Sequence, residues 1–161
     1  MHKKIKIGEK EKKERKIVQT WKHKNFLLNK ANHISIINQL FLNQSFDGDD
    51  TTKKELQKKL NSYKQQDIKK NKNKNGLIGY EELLEKLVIS KLRCYYCKHE
   101  TLLLYENNRE QKQWTLDRLD NSCGHTKDNV VISCLKCNLE RRCLNDDKFL
   151  FTKQMRLIKK N

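Results

Sequence analysis

The apolar residues in the first half of this chain recur at helical spacing. A short amphipathic helix is predicted where they follow an i, i+1, i+4, i+5 pattern: Ile36, Ile37, Leu40 and Phe41. The acidic run 47–50 predicts a solvated turn. A capping-box signature that begins at Thr52 precedes apolar positions at i, i+4 and i+7, which predicts a basic amphipathic helix over residues 53–69. His33 lies in weakly patterned sequence, so we expect its side chain to be exposed.

The second half mixes helical and strand patterns. The predicted elements, in order, are a helix over 80–92, strands over 101–105, 113–119 and 129–133, a helix over 135–144 and a final helix through Phe151, Met155 and Ile158. Trp114 is expected in the core of this half. A Lys/Asn-rich stretch at 71–76 marks the predicted boundary between a basic, helical or partly disordered extension (1–76) and a domain over 77–161. The fold class predicted is α+β.

The net charge of the chain indicates the class of partner that it would bind. The chain has 36 Lys/Arg and 20 Asp/Glu, a formal net charge of +16, and most of the excess lies in the N-terminal half. A polyanion is the natural partner of such a field, although a solubilising tail would show the same composition. No apolar run approaches the roughly 20 residues that span a bilayer, and the N-terminus lacks the apolar core of a signal peptide. We therefore expect a soluble, intracellular protein without membrane contact.

Four of the six cysteines form two C-x2-C pairs: Cys94, Cys97, Cys134 and Cys137. Each pair fits a tight turn that aims two thiolates at one ion, and four thiolates match the tetrahedral site that zinc prefers. Four protein ligands leave no position for a substrate water, so such a site is structural. A redox pair or unrelated free thiols are the alternatives. Cys123 and Cys143 lack a pair spacing and are interpreted as free thiols.

Four polar residues form a second group: three lie between the cysteine pairs and the fourth directly follows the second pair. Asp117, His125, Asn129 and Asn138 lie on a predicted strand, loop, strand and helix that would bring them to one point. This stretch resembles the HNH (His-Me finger) endonuclease family, most closely HNH-type proteins of giant DNA viruses. The matching residues, in order, are Asp117, Gly124, Asn129, Cys134, Cys137 and Asn138, and the resemblance covers about half of the chain, with residues 1–76 outside it.

The resemblance implies a small ββα-metal module with a four-cysteine zinc site and flanking helices. It further implies that Asp117 and Asn138 hold a divalent cation, Mg²⁺ or Mn²⁺, at a scissile phosphate. Asn129 would brace the loop or orient the base. Phosphates flanking the cleaved bond would be contacted by Lys136, Arg141 and Arg142.

One position departs from the family pattern. The residue after the first-strand acid is usually the general-base histidine, and here it is Arg118. Arginine stays protonated and is a poor base, so it would clamp phosphate or stabilise charge. His125 is the one histidine in the loop and could supply the base, or be a structural residue. Tyr95 and Tyr96 are expected to pack, with stacking on a nucleic-acid base as the alternative.

Two functions follow as hypotheses. The first is a metal-dependent HNH-type endonuclease that hydrolyses DNA phosphodiester bonds, with the basic N-terminal half adding affinity. The second is a non-catalytic, zinc-stabilised protein that binds DNA or RNA, for example in a virion or a large assembly, with a degenerate HNH site. For a viral protein, the host cytoplasm, the nucleus or the virion would be its location. Arg118 favours the second hypothesis, and the Asp117, Asn129 and Asn138 set favours the first.

Overall fold

The computed structural model of the chain describes residues 15–16, 20–72 and 76–155. Its elements, in order, are helices α1 (Lys24–Leu28), α2 (His33–Phe41), α3 (Asp49–Lys69) and α4 (Tyr80–Ile89), strands β1 (Trp114–Arg118) and β2 (Val130–Cys134), and helices α5 (Leu135–Arg141) and α6 (Asp146–Gln154). The α+β class is confirmed. Residues 1–14 and 17–19 of the predicted extension, residues 73–75 of the Lys/Asn-rich stretch and the end of the predicted last helix fall outside the described residues.

The first long helix begins earlier than the sequence predicts. Gly48 precedes α3 with φ 94°, a left-handed conformation that glycine adopts without strain, and Asp49 and Asp50 occupy the first turn. Carboxylates there interact favourably with the free amide groups of the helix start. The predicted capping box is therefore wrong. Thr52 lies inside the helix, where its hydroxyl donates to the Gly48 carbonyl oxygen at 3.0 Å.

The two strands form an antiparallel hairpin in the register Trp114↔Cys134 to Arg118↔Val130. The predicted strand over 101–105 does not form, and this stretch contributes a single bridge, Leu102↔Gln113. Side chains form hydrogen bonds with the backbone groups of Leu103 that would otherwise pair with a neighbouring strand. His33 Nδ1 accepts the Leu103 amide N–H at 3.1 Å, and the Trp114 indole donates to the Leu103 carbonyl oxygen at 3.1 Å.

The later helices also differ from prediction at their ends. Helix α4 stops at Ile89 because Lys91 and Leu92 both have positive φ. Helix α5 stops at Arg141, followed by positive φ at Arg142. Helix α6 begins at Asp146, capped by the Asn145 side chain, and its buried residue is Phe149. The apolar stripe predicted through Phe151 and Met155 is exposed.

One hydrophobic core joins the segments on both sides of residues 71–76. It contains Leu27, Ile36 and Leu56 from the first half together with Leu116 and Val130 from the hairpin. Polar contacts cross the same interface. The Leu116 amide donates to the Tyr63 hydroxyl at 3.0 Å, and the Lys59 ammonium donates to Tyr105 Oη at 2.9 Å and Gln113 Oε1 at 2.8 Å. The predicted boundary at residue 76 does not coincide with a break in this core.

A second, smaller apolar cluster surrounds the cysteines. It contains Cys94, Tyr96, Cys134, Cys137 and Phe149. The rings of Tyr96 and Phe149 meet edge to face with centroids 5.0 Å apart, which fixes α6 against the cysteine-bearing turn. Within the described ranges, no helix has the length and apolar character needed to cross a membrane.

Candidate metal centre and neighbouring polar clusters

The two C-x2-C pairs meet, as the sequence predicts. The Sγ atoms of Cys94, Cys97, Cys134 and Cys137 all lie within 4.8 Å of one another. The first pair lies on the turn after α4, and the second spans the end of β2 and the start of α5. The Cys137 amide donates to Cys134 Sγ at 3.4 Å, which orients that sulfur inward. All four cysteines are free of disulfide bonds.

The sulfur geometry fits a zinc ion. Cys97 Sγ and Cys134 Sγ are 3.9 Å apart, close to the separation of about 3.8 Å that tetrahedral Zn–S bonds of about 2.3 Å produce. Hydrogen bonds with Cys134 and Cys137 hold the pKa of the Cys94 thiol far below its ordinary value, while hydrogen bonds with Cys134 and Cys94 raise the pKa of Cys137. Clustered thiolates repel one another, so a divalent cation is the natural replacement for the shared protons.

The predicted cation ligand Asp117 lies in a buried ion pair. Arg141 Nη1 is 3.0 Å from both carboxylate oxygens, and the Tyr96 hydroxyl donates to Oδ2 at 2.7 Å. Asp117 is 5% exposed and Arg141 is 1% exposed. Burial raises the pKa of Asp117, against the opposing influence of Tyr96 and Arg141. The carboxylate is thus satisfied by protein groups.

Of the three residues predicted to contact phosphate, one is buried and two are exposed. Arg141 is interior and also donates to the carbonyl oxygens of Arg118 and Leu119, so its predicted contact with phosphate is corrected to a structural role. Lys136 and Arg142 are exposed and line an open groove of about 1130 Å³ at the C-terminal end of α5, together with the exposed side chain of Leu139.

Asn138 and Asn129 both make structural hydrogen bonds. The Asn138 amide nitrogen donates to Thr115 Oγ1 at 3.0 Å, which places Asn138 over the face of β1 that carries Asp117. Asn129 braces the loop between the strands. Its side chain accepts from the Asp120 amide and donates to the carbonyl oxygens of Asp120 and Gly124, each at 2.9 Å.

His125 lies across β1 from Asp117, against α3. Its Nδ1 is 2.7 Å from Asp67 Oδ1, and its backbone amide donates to Asp67 Oδ2 at 2.7 Å. With a carboxylate as acceptor, Nδ1 carries the hydrogen and Nε2 has the lone pair. The ring packs against Tyr63 at 4.7 Å between centroids. Burial lowers the pKa of His125, partly offset by Asp67.

Arg118 lies beside His125 and Asp67, and the three side chains form a polar cluster against α3. The Arg118 guanidinium lies 4.0 Å from Asp67 Oδ1 and donates to the Cys123 carbonyl oxygen at 3.3 Å. The side chain is 12% exposed. The predicted meeting of Asp117, His125 and Asn138 at one point is therefore replaced by two clusters, on opposite faces of β1.

Asp67 is the site residue that the sequence analysis missed. It occupies the next position of the apolar stripe of α3, after Leu56, Leu60 and Tyr63. A carboxylate on a buried stripe requires a buried partner, and this was the signal available in the sequence. The same signal applies to His33, which lies one turn before Ile36 and Ile37. His33 is 1% exposed, so the expectation of an exposed side chain is wrong.

Within the described ranges, the four cysteines form the one group of three or more His, Cys, Asp or Glu residues that converge closely enough to hold a metal ion. Comparisons of the chain with protein-family models, with curated proteins and with solved structures find no match. The resemblance to HNH endonucleases therefore rests on the residues themselves.

Proposed function

We propose that this chain is a zinc-stapled nucleic-acid-binding protein with an HNH-like build and a non-catalytic site. The observation that carries the proposal is the ion pair between Asp117 and Arg141. A cation at the scissile phosphate needs free carboxylate oxygens, and both oxygens of Asp117 already have buried partners. The carboxylate that would hold the cation is instead paired inside the fold.

The charge distribution supports nucleic acid as the partner. The net charge of +16 attracts a polyanion, and the groove at the end of α5 presents Lys136 and Arg142 to solvent. The zinc ion would fix α5, and with it both side chains, against β2. Leu139 and Leu144, exposed by 56% and 58%, add apolar contact to the same groove.

Salt-dependent binding tests this proposal. The affinity of zinc-loaded protein for a fluorescein-labelled DNA duplex is measured by anisotropy over a series of salt concentrations. The double variant Lys136→Gln/Arg142→Gln should reduce the slope of log K against log salt by about 2, because each lost phosphate contact removes roughly 0.9. The matched control is Lys54→Gln/Lys58→Gln, which removes the same charge from the exposed face of α3. Equal slopes in the two double variants would remove the α5 groove from the binding surface.

A second candidate, the HNH-type endonuclease, is favoured by the contact between Asp67 and His125. Asp67 fixes the tautomer of His125 that has its lone pair on Nε2, the form that accepts a proton from an attacking water, and Arg118 lies beside them to stabilise charge on the phosphate. Because His125 is 4% exposed, the ring would have to open to solvent first. The water oxygen would form the new bond to phosphorus, and the bond to the leaving oxygen would break. Mg²⁺ or Mn²⁺ would be held by Asp117 and Asn138 on the opposite face of β1. This candidate therefore requires displacement of Arg141 and a rearrangement that brings the two groups of residues to one phosphate.

Nicking of supercoiled plasmid separates the two candidates. Zinc-loaded protein is incubated with Mg²⁺ or Mn²⁺, or with EDTA, beside the variants Asp117→Ala and His125→Ala. We expect tight, salt-sensitive binding without cleavage. Cation-dependent cleavage that disappears in both variants would establish the endonuclease and reject the non-catalytic proposal. Zinc content is measured for both variants, because Asp117→Ala leaves Arg141 buried without its partner. Cleavage lost only in an Asp117→Ala protein that retains zinc would also establish the endonuclease, with a base other than His125.

A further inference from the structure

A second groove lies on the other side of the cysteine cluster, between α4, the first C-x2-C turn and β2. Its volume is about 440 Å³, in the range of pockets that hold a small ligand. Its walls are apolar: Ile89 at the end of α4, and Val130, Val131 and Ile132 on β2. Ile89 is 72% exposed, so the groove opens to solvent.

The rim of this groove is positively charged. The charged residues that line it are Lys86, Arg93 and Lys98, and no acidic side chain lines it among the described residues. Lys98 bends over the groove, donates to the Tyr95 carbonyl oxygen at 2.6 Å and stands 5.1 Å from the centre of the Tyr95 ring. An apolar wall with a purely cationic rim fits a ligand that has a flat apolar part and an anionic part.

Tyr95 supplies a fixed aromatic surface in the groove. Its backbone amide donates to the Ile132 carbonyl oxygen at 2.8 Å, and its ring meets that of Tyr96 edge to face, 5.2 Å between centroids and 81° between planes. Tyr96 is fully buried, whereas Tyr95 remains half-buried. Because the neighbouring Cys94 and Cys97 are held in the cysteine cluster, the ring is positioned before a ligand arrives.

We propose that this groove binds an unpaired base of single-stranded nucleic acid. The Lys98 ammonium, which stands over the Tyr95 ring, moves to an adjoining phosphate, and the base stacks on Tyr95 against the apolar wall. Lys86 and Arg93 contact the neighbouring phosphates. A duplex holds its bases inside the stack and cannot supply one to the groove, so the site distinguishes single strands from duplexes. The proposal rests on nucleic acid as the partner, and it names the form that this second surface recognises.

The test compares a short fluorescein-labelled oligothymidylate with a labelled duplex, by anisotropy at one salt concentration. Tyr95→Ala should weaken binding of the single strand about tenfold or more and leave duplex affinity unchanged, because a base–aromatic stack is lost. Tyr95→Phe keeps the ring and should bind like the wild type. Zinc content is measured for both variants, so that loss of the fold is recognised.

Equal affinity of Tyr95→Ala and wild type for the single strand would overturn the proposal. So would an equal loss for single strand and duplex in a variant that retains zinc. A wild-type protein that binds the duplex and not the single strand would overturn this inference alone, whereas one that binds neither would overturn the proposed function as well.

Discussion

Arg141 Nη1 lies 3.0 Å from both carboxylate oxygens of Asp117, in a part of the molecule where the two side chains are 1% and 6% exposed. Charges are placed in such an interior at a high desolvation cost, and each is tolerated because the other is present. The pair joins α5 to β1 directly beneath the cysteine cluster. It links the stability of the hairpin to the position of the helix that carries Cys137.

Breaking this pair should destabilise the fold strongly. Arg141→Met leaves the Asp117 carboxylate buried without its cation, and we expect the free energy of unfolding to fall by about 3–5 kcal/mol. Asp117→Leu/Arg141→Met removes both charges and should lose less than the sum of the two single variants. Urea unfolding of zinc-loaded protein measures this coupling. Additive losses would show that the two side chains contribute independently.

Zinc should be required for the native structure. We expect one zinc per chain by elemental analysis, and loss of the cooperative thermal transition after chelation, because the second apolar cluster is built around the four sulfurs. Cys134→Ala should lose the metal. Cys143→Ala is the matched control, since Cys143 is exposed and outside the cluster. Zinc retained by Cys134→Ala would place the metal on other ligands.

His33 should make stability depend on pH. Its Nδ1 accepts the Leu103 amide and its Nε2 donates to the Leu27 carbonyl oxygen at 3.0 Å, so the neutral ring is the form that fits. Burial lowers the pKa of His33 below 6.5. Between the folded-state pKa and 6.5 the unfolded chain binds more protons than the folded chain, so stability falls as pH falls through this window.

The variant His33→Gln should lose stability near neutral pH and show a shallower decline between pH 7 and pH 5. Chemical unfolding at several pH values measures both effects. His99→Gln, which changes an exposed histidine, is the control and should follow the wild-type curve. A His33→Gln curve parallel to that of the wild type would exclude His33 as a source of the pH dependence.

Gly124 should tolerate no side chain. A Cβ atom there would lie 2.2 Å from the Lys72 carbonyl oxygen and 2.9 Å from Asp67 Oδ2. Gly124→Ala must therefore move the loop away from α3, and we expect a loss of about 1–3 kcal/mol or more. Gly79→Ala is the control, because its nearest neighbour would be a flexible Glu82 side chain at 3.5 Å. Thermal unfolding of the two variants gives the comparison.

The sequence predicts the parts of this protein in which a local pattern determines the structure. The C-x2-C spacing predicts the cysteine cluster, and apolar periodicity predicts α2, α3 and α4. Tertiary contacts decide the rest. The stretch 101–105 has strand-like composition, but His33 and Trp114 take the backbone groups of Leu103. The family resemblance implies that Asp117 is a metal ligand. Its burial beside Arg141 depends on how α5 packs, which local sequence does not encode.

The two faces of β1 pack against helices from different halves of the chain. One face meets α5 through Asp117, and the other meets α3 through the contacts of Leu116 with Tyr63 and of Arg118 with Asp67. A fragment cut at residue 77 would keep every cysteine yet expose the face of its hairpin that meets α3. We therefore expect the four-cysteine unit to depend on α3 for its stability. Recombination that carried it into another protein would have to carry α3 as well, or provide a new helix in its place.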